Sequence, residues 1–318
     1  MTDLRDGTGS IRHPVGRKSP LNRGREIGGF PDFRSNQPAR KTCDSLLLLN
    51  SSRNALRLVL RALRPRSLWV PRYICDTVIE AAIKERTPVQ FYSIDDAFLP
   101  TLQQALAETE ILLYPNYFGI SSEAEKAVVE CYGRASVILD RSQALFSTQA
   151  MGVAEIRSPR KFLGMPDGGV LRSDIEISPP ARRHKVTVDS HSHLIGRIEA
   201  GSRNWLPQFR KAEHRLGAAE PKRMSRTSEY LLNSANLEWI RNSRIENFNT
   251  LHSALGKTNR LNSVFQTVPE GPLCYPFLPE ERSKISRAEL AEAGIFSAQY
   301  WPEVLDRPKL NDFEKKLA

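Results

Sequence analysis

From Ser45 onward the chain alternates short apolar runs with segments of helical periodicity. Leu46–Leu49 is an apolar run that ends in the polar Asn50-Ser51-Ser52. Ala55, Leu56, Val59, Leu60 and Leu63 then recur at the three- and four-residue spacing of one helix face. The order read there is strand, polar loop, helix. Ser67–Val70 predicts a second strand, stopped by Pro71. Asp76 is placed to cap a helix whose apolar face is Val78, Ile79, Ala82 and Ile83. Val89–Ile94, Ile111–Tyr114 and Ser136–Leu139 are further strands, with a helix at Ala124–Tyr132 and a last strand at Val170-Leu171. Short apolar strands alternating with helices predict an α/β fold with a mainly parallel sheet, covered on both faces. Beyond residue 205 the pattern turns helical and charged. Leu237–Leu255 reads as a long helix, and Leu273–Leu278 and Gly294–Trp301 as strand segments around a helix at Arg287–Ala293. The expected organisation is a basic arm at 1–41, a large α/β domain at 42–235 and a smaller C-terminal domain at 236–318.

Composition changes little of this. The 318 residues are 40% hydrophobic and 26% charged, ordinary values for a soluble globular protein. Four cysteines are too few for a disulfide scaffold. No run of about 18 apolar residues occurs, so no membrane helix is expected. The opening MTDLRDGTGS has two acids and no apolar core, unlike a secretory signal, and the cytoplasm is the expected compartment. The net charge of +10 raises the question of a nucleic-acid partner. Residues 1–41 hold nine Lys/Arg against four acids, a balance of +5 and half of the total. That stretch lacks apolar periodicity and is expected to be largely disordered. The remainder carries only +5, so nucleic acid is not expected as the main partner. The His191/His193 pair in DSHSH is read as a polar loop, since no HExxH-type spacing accompanies it and no metal site is expected.

Three segments carry candidate chemistry. Asp140 ends the apolar strand SVIL and is followed by Arg141-Ser142-Gln143. Lys161 lies in the loop SPRKFLGMPDGG at 158–169, and NSSRN at 50–54 opens a helix. In parallel α/β sheets ligands bind beyond the carboxyl ends of the strands. A loop lysine about 20 residues after a strand-end aspartate suggests pyridoxal phosphate. That cofactor takes a lysine on its aldehyde, an acid against its pyridine nitrogen, and loop N–H groups with hydroxyls on its phosphate. Lys161, Asp140 and Ser51/Ser52 are the right residue types. From spacing alone, a helix-capping aspartate and a solvated lysine are the commoner readings.

The text IGGF at 27–30, NSSRNAL at 50–56, VPRYICDTV at 70–78, YPNYFGI at 114–120, VILDRSQALFS at 137–147, SPRKFLGMPDGG at 158–169, CYPFL at 274–278 and GIFSAQYWPEV at 294–304 resembles one family. It is the DegT/DnrJ/StrS group of pyridoxal-phosphate-dependent sugar aminotransferases, in a poorly characterised branch with the form SPRKFxGxPDGG. The resemblance implies a fold type I transferase with a large domain built on a mainly parallel sheet and a smaller C-terminal domain. It implies Lys161 as the catalytic lysine, Asp140 on the pyridinium and Gln143 near the ring. Ser52, Arg53 and Ser158 are implied as phosphate ligands, and Cys75 takes the place where relatives stack an aromatic on the ring. Arg53 departs from the usual small hydroxyl residue. The implied reaction moves an amino group from an amino acid such as glutamate to a nucleotide-linked keto sugar, for polysaccharide or glycoside synthesis, in a homodimer. The departures leave a second expectation, a relative with this fold that does not transaminate. Relatives also continue past Ala318, so the chain reads as truncated within its small domain.

Overall fold

The computed structural model describes residues 27–28, 46–265, 267–279 and 286–318. The basic arm lies outside the described residues except for β1 (Ile27–Gly28). Next come β2 (Leu47–Leu49), α1 (Ser52–Leu63), β3 (Ser67–Pro71), α2 (Asp76–Lys84), β4 (Val89–Ile94), β5 (Pro100–Thr101) and β6 (Glu110–Pro115). They are followed by α3 (Ser122–Tyr132), β7 (Val137–Arg141), β8 (Ala154–Arg157) and β9 (Gly169–Ser173). The remaining elements are helical apart from one short strand: α4 (Val188–Ala200), α5 (Ser202–Ala218), α6 (Arg226–Ser234), α7 (Leu237–Leu255), α8 (Arg287–Glu292), β10 (Ile295–Phe296) and α9 (Asp312–Leu317).

One eight-stranded sheet runs in the order β2-β9-β8-β7-β6-β3-β4-β5. The five strands β4, β3, β6, β7 and β8 are mutually parallel, while β9 and β5 pair antiparallel with their neighbours. The unbroken apolar runs divide by alternation between the two faces. In β6, Ile111 and Leu113 join a core with Ala55, Leu56, Val59 and Leu60 of α1. Leu112 and Tyr114 join the opposite core, with Phe248 of α7 and Val304, Leu310 and Ala318. In β7, Ile138 faces the first core, and Val137 and Leu139 the second. Each fully buried side chain of this size is worth about 1.5–3 kcal/mol, which makes the register of the runs hard to slip.

Several expectations need correction. Cys75, not Asp76, is the N-cap of α2, and it makes no side-chain capping bond. Ile83 points to solvent at 65% exposure, and Ala81 takes its place in the core. Leu273–Leu278 forms no strand: Pro272, Pro276 and Pro279 leave too few amide donors for a ladder. Only Ile295–Phe296 of the Gly294–Trp301 segment is strand, pairing parallel with β1. His191 and His193 lie in α4 rather than in a loop, and His193 is buried against Phe209 of α5, with ring centroids 5.5 Å apart. Strand β8 went unread because Glu155 and Arg157 interrupt its apolar pattern. Both are satisfied by ion pairs inside the sheet's cover.

Candidate active site

Register brings the three chemistry-bearing segments to one end of the sheet. Asp140 of β7 pairs with Ile156 of β8, and Arg157 pairs with Val170 of β9. Gly169 of β9 in turn pairs with Leu49 of β2, after which the chain enters α1. Ser51 bridges directly to Gly168, and the Gly168 N–H donates to the Asn50 carbonyl at 2.8 Å. The carboxyl ends of β7, β8 and β2 therefore lie at the same end of the sheet, with the start of β9 between β8 and β2. Alternation places Asp140 on the side of Ile138, which is the α1 side.

A cleft of about 2950 Å³ opens at this end, several times the volume of a pocket for one small ligand. Ser52, Arg53, Cys75, Asp140, Gln143, Ser158 and Lys161 all line it. Ser51 caps α1, its hydroxyl accepting the Asn54 N–H at 3.1 Å, and the first turn contains no acid. The positive end of the α1 dipole thus meets the cleft without a competing carboxylate. Only glycine fits opposite: a Cβ on Gly169 would lie 2.5 Å from the Ser51 oxygen and the Ser52 nitrogen.

Asp140 is half-buried, and its Oδ1 accepts the Ser142 N–H at 2.9 Å. Gln143 is buried, and its Oε1 accepts the Phe118 N–H at 2.6 Å. That bond fixes the amide, and Nε2 is left as a buried donor with no partner. Such an atom costs free energy unless a ligand acceptor meets it. Phe118 itself is held at a φ of 57°, a conformation non-glycine residues seldom adopt.

Behind this turn lies a buried ion cluster. Arg141 donates to Glu125 at 2.9 Å, to Glu155 at 2.7 Å and to the Ala150 carbonyl at 2.7 Å. Arg157 meets Glu155 at 3.0 Å. All three members of the Glu125–Arg141–Glu155 triad are buried, so the chain from Asp140 to Val153 is pinned from beneath.

Lys161 ends a single helical turn, Pro159–Lys161, entered from the buried Ser158. The far end of its loop is anchored by Asp167. Its fully buried carboxylate accepts the Ser225 N–H at 2.9 Å, the Ser225 hydroxyl at 2.5 Å and the Ser228 hydroxyl. Arg53 has commitments of its own. It donates to the Gly217 carbonyl at 2.9 Å and lies 3.6 Å from Glu80. The Cys75 sulfur accepts from the Thr77 hydroxyl at 3.2 Å.

The other wall was not read from the sequence. Arg244 of α7 donates to the carbonyls of Pro272 at 3.2 Å and Leu273 at 2.8 Å, and its guanidinium lies 4.6 Å above the Phe162 ring. Burial lowers its basicity. Burial also pushes the Cys274 thiol up to about 12, against the pull of the Tyr300 hydroxyl and of the Arg244 and Lys161 cations. That thiol is therefore a neutral wall group, not a nucleophile. Nothing in the local text marks Arg244, one of many basic residues on charged helices. Asp167 and Tyr300 did fall within the matching text, without an assigned role.

No protein-family model matches the sequence, and no curated protein matches it significantly. Solved structures do resemble it. The chain superposes on Helicobacter pylori PseC, an aminotransferase of pseudoaminic acid biosynthesis, with a TM-score of 0.54 at 13% identity, covering 89% of this chain and 87% of that one. A DegT DnrJ EryC1 StrS aminotransferase from Brucella abortus gives 0.54 at 15% identity over 86% of this chain and 78% of that one. Bacillus subtilis NtdA, solved with bound cofactor PMP, gives 0.55 at 14% identity over 86% and 66%. At such identities the likeness is one of fold: the chain has the α/β architecture of the fold type I transferases. No helix among the described residues is long and apolar enough to cross a membrane.

Proposed function

We propose that the protein is a pyridoxal-phosphate-dependent aminotransferase that moves an amino group from an amino acid such as glutamate to a nucleotide-linked keto sugar. The observation that carries the reading is the meeting of Lys161, Asp140 and the buried, unpartnered Nε2 of Gln143 in one cleft beside an acid-free helix N-terminus. These residues fit the cofactor. The α1 N-terminus, with Ser51 and Ser52, suits a phosphate dianion, and Ser158 and Arg53 flank it. Asp140 is the anion for a protonated ring nitrogen, and Gln143 Nε2 is a donor for an acceptor oxygen on the ring.

Bound there, the cofactor supplies an electron sink that stabilises negative charge at the substrate carbon. The chain does the rest. Lys161 holds the cofactor through its Nζ and, once displaced by an amine, takes and returns a proton at that same atom. Asp140 keeps its partner protonated because a carboxylate favours the charged form beside it. The triad beneath keeps the Asp140–Gln143 turn from shifting.

A spectrum tests the proposal. Purified protein with added cofactor should show a band near the violet edge of the visible, and Lys161→Ala should lose that band. L-Glutamate should convert the bound cofactor to its amine form. A colourless protein that ignores the cofactor sinks the proposal. A band that glutamate leaves unchanged favours the non-transaminating relative, consistent with a thiol rather than an aromatic at Cys75.

A further inference from the structure

The cleft carries more positive charge than the cofactor reading uses. Of the arginines that line it, Arg160 is paired with Glu213, Arg53 lies by Glu80, and the exposed Arg287 is held by the Ser297 carbonyl and Gln299. Arg244 is half-buried. Among the described residues it forms no ion pair, and its only acceptors are the carbonyls of Pro272 and Leu273, both reached from Nη1. Its Nε and Nη2 make no hydrogen bond there and keep some exposure, and the residue lines the cleft. The guanidinium carbon lies 4.6 Å over the Phe162 ring, a contact that uses neither Nε nor Nη2 as a hydrogen-bond donor to an anion.

The position of this guanidinium is fixed by a chain of bonds. Gln143 Oε1 holds the Phe118 N–H at 2.6 Å, the Phe118 carbonyl holds the Leu273 N–H at 2.8 Å, and the Leu273 carbonyl holds Arg244 at 2.8 Å. The same turn that aims Gln143 therefore aims Arg244. A half-buried arginine without a counter-anion is costly to keep, and one beside a reacting lysine is well placed to receive the anion from a ligand.

We infer that Arg244 is the anion-binding residue of the substrate subsite, docking a carboxylate or phosphoryl group of the molecule that reacts at Lys161. The inference rests on the proposed reaction only for what reacts at Lys161. Two sources share this chemistry: the carboxylate of the amino donor and the diphosphate of a nucleotide-linked acceptor.

Calorimetric titration separates them. Glutarate serves as an unreactive dicarboxylate probe and uridine diphosphate as the phosphoryl probe. Each is titrated into wild-type, Arg244→Met and Arg244→Lys proteins, with and without added cofactor. Loss of a charge-assisted fork should weaken the relevant probe about tenfold or more in Arg244→Met, with partial recovery in Arg244→Lys. The probe that weakens identifies the source. Unchanged binding of both probes in Arg244→Met, or failure of both to bind the wild-type protein, overturns the inference. The visible band is recorded alongside. Its retention in Arg244→Met shows that the cofactor site is intact. Its absence from wild-type protein fails the proposed function, while the cofactor-free titrations still decide the role of Arg244. Arg244→Lys, which keeps the charge, guards against a folding defect in the methionine variant.

Discussion

The α1 N-terminus passes tightly over Gly169, and Gly169→Ala tests what that passage does. The added Cβ would stand 2.5 Å from both the Ser51 oxygen and the Ser52 nitrogen, where ordinary contact begins at 3.4 Å. Backbone, not a flexible side chain, is in the way. Relief requires the helix start and β9 to separate by about 1 Å, and such overpacking costs about 1–3 kcal/mol. The displaced atoms are the ones proposed to hold the phosphate, so affinity for the cofactor should fall as well. A misplacement of about 1 Å in a site can cost about a hundredfold in rate. Gly152→Ala is the matched control. Its Cβ would collide with the Val137 carbonyl at the start of β7, away from the cleft lining. Both variants should lose thermal stability, measured by circular dichroism. Only Gly169→Ala should weaken cofactor binding, measured by titration of the visible band. Equal affinity in the two variants, or an unshifted melting curve for Gly169→Ala, would refute the reasoning.

Three further outcomes follow from the same packing. Arg141→Met strands Glu125 and Glu155 in the interior and should lower the stability read from urea unfolding by about 3–5 kcal/mol; a loss below about 1 kcal/mol would mean that the triad is hydrated. Gln143→Leu leaves the Phe118 N–H without an acceptor and should cost about 1–3 kcal/mol, together with a weaker cofactor titration. Burial holds His193 down to about 4, helped by the Arg160 cation. Its contribution is thus fully present above the unfolded value near 6.5 and is lost as pH falls toward 4. Conversion of that shift gives at most about 3 kcal/mol. His193→Leu should flatten that acid limb in a pH series of melting temperatures, and an unchanged slope would place the titrating group elsewhere.

Much of the sheet was legible because its strands are buried on both faces. Runs such as ILLY and VILD carry no ambiguity about burial, and the helix between Asn50 and Arg64 shows both its cap and its apolar stripe. The long helix Leu237–Leu255 was read to its ends because Asn236 caps it and Gly256 follows it. Strand β8 and helix α4 were not legible, for a common reason. Their polar residues look solvent-facing in sequence, yet Glu155 is neutralised by Arg141, Arg157 and Arg172, and His193 packs on Phe209. Which polar groups find partners depends on chain segments far away in sequence.

The sequence by itself determined the α/β alternation, the strand-end aspartate, the loop lysine and the helix that opens after Ser51. These are local properties, set by periodicity, capping and turn chemistry within a few residues. The tertiary structure alone decided that they share one cleft. It did so through the β7-β8-β9-β2 register and the glycine contact at 169, which join residues more than a hundred positions apart. It also decided that Arg244, half-buried in the cleft wall, has no carboxylate beside it among the described residues. Charge compensation is a property of packing: Arg53, Arg141 and Arg160 meet carboxylates, whereas the half-buried Arg244 meets only backbone carbonyls.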